Sequence, residues 1–243
     1  MDCEGAGELF AVTARMSEAS DEQLLGPTPV SLTVSGQLHL ETAACALSKV
    51  YTFNPAFRAD RSTTPRHLCE FWMVEPEISF ATMDDACDLA EDCVRYVVSD
   101  VIDKCARDLE LIGKYRVAGG ATDTGPLQRA NLIAEQRYTR MLYDEAVTAL
   151  HNSNETSLGS IQWGQRLHAE HEKWLCEKHC GGKPVFVTHF PTTAAAFYAR
   201  EDDISFSKHG RTAGSFDLLT NNGELIGGGQ REDKTDKLLA KMV

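Results

Sequence analysis

The residues with the clearest chemical potential lie between positions 57 and 80, where the sequence reads FRADRSTTPRHLCEFWMVEPEISF. Arg58 ends a strand-like run, a polar turn follows, and a second strand begins at Phe71. Because side chains alternate between the faces of a strand, one face of this second strand is apolar and the other carries an aromatic ring and carboxylates. We expect the apolar face to join a core and the other face to bind a ligand with phosphates, an amine and a flat base. The two faces are Trp72, Val74, Ile78 and Phe80 against Phe71, Met73, Glu75 and Glu77.

Arg58 and Phe71 have the chemistry that such a ligand needs. A guanidinium offers a planar fork of donors that fits phosphate oxygens, and an aromatic ring stacks on a base with a contribution of about 1–3 kcal/mol. Taken alone, Arg58 would more often be a surface arginine and Phe71 a core residue. The alternation favours a ligand for Phe71, because Trp72 takes the opposite face while Glu75 shares that of Phe71.

A second group of polar residues surrounds a predicted hairpin. Asp217 and Glu224 flank Asn221-Asn222-Gly223, which is a strong turn signal. A loop of even length places the two acids on the same face of the sheet, within reach of one metal ion. Paired carboxylates suit Mg²⁺ that is also bound to phosphate oxygens, although two acids around an Asn-Gly turn are more often simply solvated.

The composition is that of a globular protein with a sizeable core: 243 residues, of which 42% are hydrophobic and 25% are charged. The net charge of −12 gives no global support for nucleic-acid binding, although a local patch could supply it. The eight cysteines follow no secretory signal, so reduced thiols in an intracellular protein are the better interpretation. No apolar run approaches the roughly 18 residues of a membrane span. We therefore expect no membrane association and a cytoplasmic location, with the mitochondrion as the alternative.

The elements that would position these residues begin with strands joined by a short helix. The pattern predicts a strand over Ser31–Leu38, with Ser35 and Gln37 on its polar face, a helix over Glu41–Lys49 and a strand over Val50–Arg58. Short connections favour antiparallel neighbours.

The middle of the chain is predicted to be mainly helical. Asp84–Ile112 has the pattern of a long amphipathic helix, and Lys114–Gln136 that of a polar surface insertion. Further helices are predicted over Arg140–Leu150 and Arg166–His179. The mostly apolar stripe assigned to the long helix is Leu89, Cys93, Tyr96, Val97, Asp100, Val101 and Cys105.

The last third of the chain returns to strands, at Pro184–Phe190, at Phe197–Arg200 and in a hairpin over Ser215–Gly228, before a helix over Lys234–Met242. The fold class predicted from the whole pattern is α+β, an antiparallel β-sheet flanked by helices. The sequence contains no phosphate-binding loop of the Gly-x₄-Gly-Lys-Ser/Thr type and no Gly-x-Gly-x-x-Gly after a strand.

The stretch from 57 to 80 resembles motif 2 of the class II aminoacyl-tRNA synthetases, and most closely the asparaginyl members of their Asp/Asn/Lys subgroup. The resemblance covers nearly the whole chain and is poorest between about Lys114 and Asn152. The fold of that family is the α+β arrangement predicted above. The other segments that carry the resemblance are DCEGAGE from Asp2, LTVSGQL from Leu32, EHEK from Glu170, FY from Phe197 and GELIGGGQRE from Gly223.

The resemblance implies an ATP site with Mg²⁺. Arg58 matches the catalytic residue that holds the α-phosphate and stabilises charge during amino-acid activation, and Phe71 matches the ring on which adenine stacks. A loop that folds over the nucleotide and a carboxylate pair that binds the metal complete the site. These are Arg66, His67 and Leu68 for the loop, and Asp217 and Glu224 for the metal, with Glu224 also part of the ATP site.

The resemblance also implies an amino-acid site. Ser35, Gln37 and Glu75 match the group that receives the amino acid, in which Gln37 would bind the α-amino group and Glu75 the polar nitrogens. Arg231 matches the arginine that holds the substrate amino acid. Aspartyl relatives commonly carry a lysine three residues after the equivalent of Gln37, and here that position is Leu40. Loss of that positive charge fits an amide side chain better than a carboxylate, which favours asparagine over aspartate.

The function implied is that of an asparagine–tRNA ligase, which uses ATP and Mg²⁺ to activate asparagine and transfers it to tRNA(Asn), in a family whose full-length members are homodimers. The named residues would converge on one pocket. Residues 1–243 would form a class II catalytic domain, incomplete at both ends, with a helical and insertion region at about 84–180 and no anticodon-binding domain. The first and third class motifs are not found within the 243 residues, so we expect inefficient tRNA charging from this chain by itself.

Two other functions stay open at this point. One is a non-catalytic paralogue that binds ATP or asparagine, which the absence of those motifs favours. The other is a relative of asparagine synthetases that amidates aspartate, against which Leu40 counts. A zinc site is also conceivable, but a packed helix is preferred because structural zinc sites usually draw tighter cysteine pairs from separate elements. Its ligands would come from His168, His171, Cys176, His179 and Cys180.

Overall fold

The computed structural model describes residues 9–13, 25–59, 68–120, 125–135, 137–153 and 155–242. The chain divides into two compact units, Met1–Phe80 and Ala81–Val243. The first unit contains Arg58 and Glu75, and the second contains the predicted hairpin.

The first unit is built on one helix and an antiparallel pair of strands. Helix α1 spans Gln37–Leu47, strand β1 spans Lys49–Phe57 and strand β2 spans Glu70–Ile78. The two strands predicted before and after the polar turn are therefore confirmed, with ends that differ by a residue or two.

The register of this pair fixes which residues share a face. Thr52 lies opposite Glu75, and Ala56 lies opposite Phe71. Exposure alternates along β2 from Glu70 onwards, which confirms the alternation predicted from the sequence. Phe71 and Glu75, on the predicted ligand-binding face of β2, therefore have Ala56 and Thr52 of β1 as their cross-strand neighbours.

The strand predicted over Ser31–Leu38 is wrong, because helix α1 already begins at Gln37. Within the described part of this segment, β-pairing is limited to one isolated bridge, between Ser31 and Ala11. The Ser35 hydroxyl accepts the Gln37 N–H at 3.1 Å, which satisfies a donor of the first helical turn. Serine just before a helix is a start signal, and here it outweighs the alternation of small polar residues.

The apolar face of the strand pair is a second correction. Trp72 and Val74 are 60% and 58% exposed and Phe80 is fully exposed, although the sequence predicts a core position for all three. Phe53 of β1 packs on Trp72 with ring centroids 4.9 Å apart, and it is exposed as well. Alternation identifies an apolar face, but it does not say which element covers that face. None of the described residues of this unit covers it.

The second unit combines a four-stranded sheet with several helices. The strand order is β3-β4-β5-β6, with β3 parallel to β4 and the other pairs antiparallel. The predicted α+β class is confirmed, with one parallel pair that the sequence pattern did not indicate. The strands are β3 (Thr139–Leu142), β4 (Val185–Thr188), β5 (Ser215–Thr220) and β6 (Gly223–Gly229). The helices are α2 (Met83–Ala118), α3 (Pro126–Glu135), α4 (Tyr143–Asn152), α5 (Ala169–Trp174) and α6 (Thr235–Lys241), with a 3₁₀ turn at Thr156–Leu158 and a π-helical turn at Leu175–His179.

Both faces of this sheet are packed. Because successive residues of a strand point to opposite faces, Leu218 and Leu219 belong to different clusters. The cluster that joins the sheet to α2 comprises Met83, Cys87, Ala90, Tyr138, Phe186, Phe216 and Leu218. The cluster that joins it to α4 and the π-helical turn comprises Met141, Tyr143, Ala146, Val147, Leu150, Ile161, Leu175, Val185, Val187, Phe190 and Leu219.

Helix α2 buries a different stripe from the one predicted. Leu89, Tyr96 and Val97 of the predicted stripe are 40%, 75% and 53% exposed. The predicted stripe and the buried one both follow the helical repeat, so periodicity alone does not decide between them. The buried residues of α2 are Met83, Cys87, Ala90 and Glu91.

The other predicted elements of this unit meet mixed outcomes. Most of the described part of the polar segment Lys114–Gln136, predicted as a surface insertion, is helical, because α2 continues to Ala118 and α3 follows with a proline at its first position. The helix predicted from Arg140 starts as strand β3 and becomes helical at Tyr143. The strand predicted over Phe197–Arg200 is reduced to one isolated bridge, between Ala199 and Arg231. The helix near Arg166–His179, strand β4, the hairpin and helix α6 are confirmed, with shifted ends.

None of the described helices combines the length and the apolar character needed to cross a membrane. The cysteines in the described part of the chain are free thiols.

The cysteines should differ sharply in reactivity. Cys87 and Cys176 are completely buried, and burial raises the pKa of each thiol to about 12. Because the thiolate is the nucleophile, iodoacetamide at pH 8 should alkylate the exposed Cys45, Cys69 and Cys93 at least about tenfold faster. Peptide mass spectrometry over time, with urea-unfolded protein as the control, measures the rates. Equal rates for buried and exposed thiols in the native chain would contradict the packing.

Candidate functional site

In the first unit, a hydrogen-bonded group fixes the polar face of β2 around Glu75. Glu75 Oε1 accepts the Ser35 hydroxyl, and Glu75 Oε2 accepts the Gly36 N–H at 3.0 Å. Ser35 is 5% exposed, so the carboxylate is held by a buried loop. The fit is close, because a Cβ at Gly36 would lie 3.0 Å from Thr52 Cγ2 and 3.4 Å from Glu75 Oε2. An ionised carboxylate has about four acceptor sites, so Glu75 can still accept from a ligand.

Gln37 and Arg58 each place a buried polar atom near this group. Gln37 is 8% exposed, and its Oε1 has no hydrogen-bond partner among the described residues. Arg58 Nε is likewise buried without a partner in the described part of the chain. An unsatisfied buried polar atom costs roughly 1–3 kcal/mol. Both atoms are therefore suited to a ligand that supplies the missing partner, a donor for Gln37 and an acceptor for Arg58.

Arg58 and Phe71 lie together, as the sequence predicts. The guanidinium carbon of Arg58 is 5.3 Å from the centroid of the Phe71 ring, and Nη2 is 3.8 Å from Met73 Sδ. The Arg58 backbone N–H donates to the Cys69 carbonyl at 3.1 Å. These contacts hold the guanidinium on the face of β2 that also carries Glu75.

The loop that should fold over a nucleotide is described only at its end. Arg66 and His67 lie outside the described residues, and their contact with a nucleotide stays a prediction. Leu68 is 64% exposed, just before β2.

In the second unit, a β-bulge shapes the predicted metal site. A regular two-residue hairpin would place Ile226 opposite Asp217. The register shifts instead, so that Asp217 pairs with Gly227 and Leu218 pairs with Ile226. Ile226 consequently packs into the core beside α2, and a residue without a side chain faces Asp217.

Gly227 leaves room for two carboxylates. A Cβ at this position would lie 2.7 Å from Glu224 Oε1 and 3.5 Å from Asp217 Oδ1, so both acids reach the same point above the sheet. This arrangement fits Mg²⁺, which takes oxygen ligands and commonly completes its shell with water and phosphate oxygens. Over the described ranges, no group of three or more His, Cys, Asp or Glu side chains is arranged to hold a metal ion. The protein would therefore contribute these two ligands.

A third carboxylate contacts the hairpin from helix α5. Glu172 is 8% exposed, and its Oε2 accepts the backbone N–H of Glu224 at 3.0 Å. The sequence pattern does not distinguish Glu172 from the exposed Glu170 two residues earlier. Its contact joins residues that are far apart in sequence, so only the tertiary structure identifies it.

The histidines and cysteines around Glu172 have structural contacts. His171 is 3% exposed, and its Nε2 lies 2.7 Å from the Leu158 carbonyl oxygen. The single S–H of Cys176 has two acceptors within reach, the Lys183 carbonyl oxygen at 3.1 Å and Asn221 Oδ1 at 3.0 Å. These contacts anchor α5 and the π-helical turn.

Arg231 follows β6 and stacks on an aromatic ring. Its guanidinium carbon lies 4.1 Å from the centroid of Tyr198. A bridge between Arg231 and Ala199 and a hydrogen bond from Glu232 N–H to the Tyr198 carbonyl, at 2.8 Å, hold the two segments together. Stacking on a ring restricts the direction of the guanidinium, and Tyr198 is a partner that the sequence did not suggest.

The structure thus forms two groups of predicted site residues, one in each unit. Ser35, Gln37, Arg58, Phe71 and Glu75 belong to the first unit. Asp217, Glu224 and Arg231 belong to the second. The convergence of both groups on one pocket stays a prediction.

Comparison with known proteins points to one family. A family model described as "tRNA synthetases class II (D, K and N)" matches residues 1–243. An asparagine–tRNA ligase of Nitratidesulfovibrio vulgaris (strain DP4) is 43% identical over 256 residues, which cover 99% of this chain and 52% of the relative. A chloroplastic/mitochondrial asparagine–tRNA ligase of Arabidopsis thaliana is 38% identical, with coverage of 99% and 44%. The chain spans about half the length of the curated relatives that it matches.

Solved structures share the fold. The asparaginyl-tRNA synthetase of Pyrococcus horikoshii complexed with asparaginyl-adenylate matches with a TM-score of 0.78 and 31% identity, over 98% of this chain and 48% of that one. A putative aspartyl-tRNA synthetase from Leishmania major Friedlin matches with a TM-score of 0.71 over 96% of this chain and 48% of that one. Its identity is 18%, so it supports the fold alone.

Alanine substitutions at the adjacent Gly227 and Gly228 should show which position faces flexible side-chain ends and which faces the packed core. In Gly227→Ala, the new methyl group meets the mobile end of Glu224, so the free energy of unfolding should change by less than about 1 kcal/mol. In Gly228→Ala, the methyl group would lie 2.7 Å from the buried Phe216 ring, and unfolding should become easier by about 1–3 kcal/mol. Urea denaturation of both variants measures the difference. Equal destabilisation would show that the space above Gly227 is packed and closed to a ligand.

Proposed function

The chain belongs to the class II tRNA synthetases of the D, K and N group, and from this premise we propose that it carries the asparagine-activating site of an asparagine–tRNA ligase. ATP is the nucleotide that this family uses. Relatives matched over 99% of the chain are asparagine–tRNA ligases. The observation that carries the proposal is the buried acceptor of Gln37 near the anchored carboxylate of Glu75. Asparagine offers donors to both, an α-ammonium group for the unpartnered Gln37 Oε1 and an amide NH₂ for the remaining acceptor sites of Glu75.

The first reaction would join asparagine to the α-phosphate of ATP. A carboxylate oxygen of asparagine attacks the α-phosphorus, the bond from phosphorus to the oxygen of the β-phosphate breaks, and pyrophosphate leaves. Negative charge develops on the oxygens around the α-phosphorus, where Arg58 donates hydrogen bonds that strengthen in the transition state. A hydroxyl group at the 3′ end of tRNA(Asn) would then attack the carbonyl carbon of asparaginyl-adenylate, the bond from that carbon to the phosphate oxygen would break, and AMP would leave.

The other predicted site residues would bind the nucleotide, its metal ion and the amino acid. Phe71 already contacts Arg58, so stacking of adenine on Phe71 would bring the base and the α-phosphate to adjacent side chains. Asp217 and Glu224 would hold Mg²⁺, which supplies positive charge to the phosphate oxygens when it is bound. Arg231, directed by Tyr198, would bind the amino acid.

The helical course of α1 supports asparagine over aspartate. In a strand, Gln37 and Leu40 would face opposite sides, whereas three residues apart on a helix they share a face. Leu40 is therefore on the side of α1 that carries Gln37. A neutral residue there leaves a substrate carboxylate without a positive partner, which disfavours aspartate.

The remaining parts of the proposal follow the family. We propose residues 1–243 as a class II catalytic domain with a helical region at about 84–180, tRNA(Asn) as the second substrate, and a homodimer. We also propose the cytoplasm as the compartment. The plant relative is named for chloroplast and mitochondrion, so an organelle is the alternative.

Substitution of Arg58 tests the reaction directly. Arg58→Ala should lower asparagine-dependent ATP–pyrophosphate exchange by about 10²–10³-fold, because the developing charge loses its donor. Arg58→Lys should restore only part of the rate, because an ammonium group does not reproduce the planar fork. Arg107→Ala, which removes an exposed arginine of α2, should exchange at the parent rate. Incorporation of labelled pyrophosphate into ATP gives the measurement.

The same assay separates the alternatives. No exchange by a well-folded parent chain would reject the ligase for this chain. If ATP or asparagine still raised its melting temperature, a non-catalytic binding module would replace the proposal. Aspartate-dependent turnover with ammonia would indicate a relative that amidates aspartate.

Leu40→Lys should shift amino-acid selectivity. An ammonium group on the same helical face as Gln37 attracts a substrate carboxylate, so the ratio of exchange rates with asparagine and aspartate should fall by about tenfold or more. Leu40→Met keeps a neutral side chain of similar size and should leave the ratio unchanged. A ratio that is the same in the lysine variant would remove Leu40 from the selectivity argument.

A further inference from the structure

We propose that Glu172 is the positioning residue of the carboxylate pair formed by Asp217 and Glu224. The inference rests on the proposed function, in which that pair holds Mg²⁺ against the phosphates of ATP. Glu172 would act through the backbone of Glu224 and would not itself touch the metal or the nucleotide.

The bulge in β6 creates the need for such a residue. Leu225 has no partner where the register shifts between Leu218 and Leu219. At the edge of this shift, the N–H of Glu224 donates to Glu172 Oε2 at 3.0 Å. An ionised acceptor makes a stronger hydrogen bond than a neutral one, and the acceptor here belongs to a side chain that is largely withdrawn from water. Glu172 therefore stabilises the bulged course of the strand.

The helix that carries Glu172 is itself fixed to the hairpin. Sγ of Cys176, one turn further along, lies 3.0 Å from Asn221 Oδ1 in the hairpin turn. Within the helix, Nε2 of His171 lies 2.7 Å from the Leu158 carbonyl oxygen. The hairpin is thus held by this segment at its turn and at Glu224, and Glu172 is only 8% exposed.

The geometry above Gly227 depends on that contact. Glu224 Oε1 lies 2.7 Å from the position of a Cβ at Gly227, so a small rotation of the Glu224 backbone moves the carboxylate away from the point it shares with Asp217. Residues that orient the ligands of a metal commonly change its affinity by about 10–100-fold when they are substituted. A nearby third carboxylate could also act by its charge, so the experiment must separate position from charge.

Two substitutions of Glu172 make that separation. Glu172→Gln keeps an oxygen at the same reach and removes the charge, whereas Glu172→Asp keeps the charge and shortens the side chain by one methylene. Glu170→Ala removes an exposed carboxylate from the same helix and is the matched control. Melting temperatures show whether each variant folds.

Two readouts are needed, neither of which depends on turnover. Hydrogen exchange of the Glu224 amide, followed by ¹⁵N NMR, reports the hydrogen bond without any metal. Water proton relaxation with Mn²⁺ and α,β-methylene-ATP reports binding of the metal–nucleotide complex. Glu172→Asp should speed the exchange of the Glu224 amide and weaken Mn²⁺–nucleotide binding by about tenfold or more. Glu170→Ala should resemble the parent chain in both, and Glu172→Gln, whose neutral oxygen has the same reach but accepts more weakly, should change both much less than Glu172→Asp does.

The opposite results overturn the proposal in distinguishable ways. Binding that is weakened in Glu172→Gln but retained in Glu172→Asp would assign the effect to charge. A Glu224 amide that stays protected in Glu172→Asp would remove the hydrogen bond from the argument. A parent chain that binds no Mn²⁺–nucleotide, despite a protected Glu224 amide, would reject the metal site of the proposed function and the positioning role with it.

Discussion

The β-bulge between β5 and β6 is the constraint on which the second unit depends. A strand shows alternate residues to opposite faces, so one extra residue changes which side chains share a face beyond it. Here the shift sends Ile226 into the core with Leu218 and brings Gly227 opposite Asp217. Core and candidate site are therefore produced by one local feature. Without it, an isoleucine would occupy the space that the two carboxylates fill.

A similar contact recurs in the first unit. Glu75 accepts the N–H of Gly36, and Glu172 accepts the N–H of Glu224, so in each unit a carboxylate binds a backbone donor from a distant part of the chain. Such charge-assisted hydrogen bonds fix the orientation of the backbone segment that bears the donor. Each candidate site is consequently supported by residues whose partners are separated by tens of positions in sequence.

The predicted and observed buried faces differ, because a sequence pattern does not determine which apolar face is buried. Trp72 and Val74 lie on the face that alternation marks as apolar, yet the described residues leave them exposed. On α2, the predicted stripe with Tyr96 is exposed, while Cys87 and Ala90 are buried. Periodicity identifies faces that are able to pack, whereas the choice of the face that does pack depends on the neighbouring elements.

The sequence by itself determined the fold class, the strand pair around Arg58 and Phe71, the hairpin and the family, because alternation, turn residues and motif spacing are local properties of the chain. It also placed Glu75 on the same strand face as Phe71, and Asp217 and Glu224 on one face of the hairpin, since alternation along a strand fixes the face of each residue. Only the tertiary structure decided that Gln37 begins a helix, that Gly227 makes room for carboxylates, and that Glu172 supports them. Those features depend on register and on contacts between distant segments, and no local pattern encodes the free energy by which one packing arrangement prevails over another.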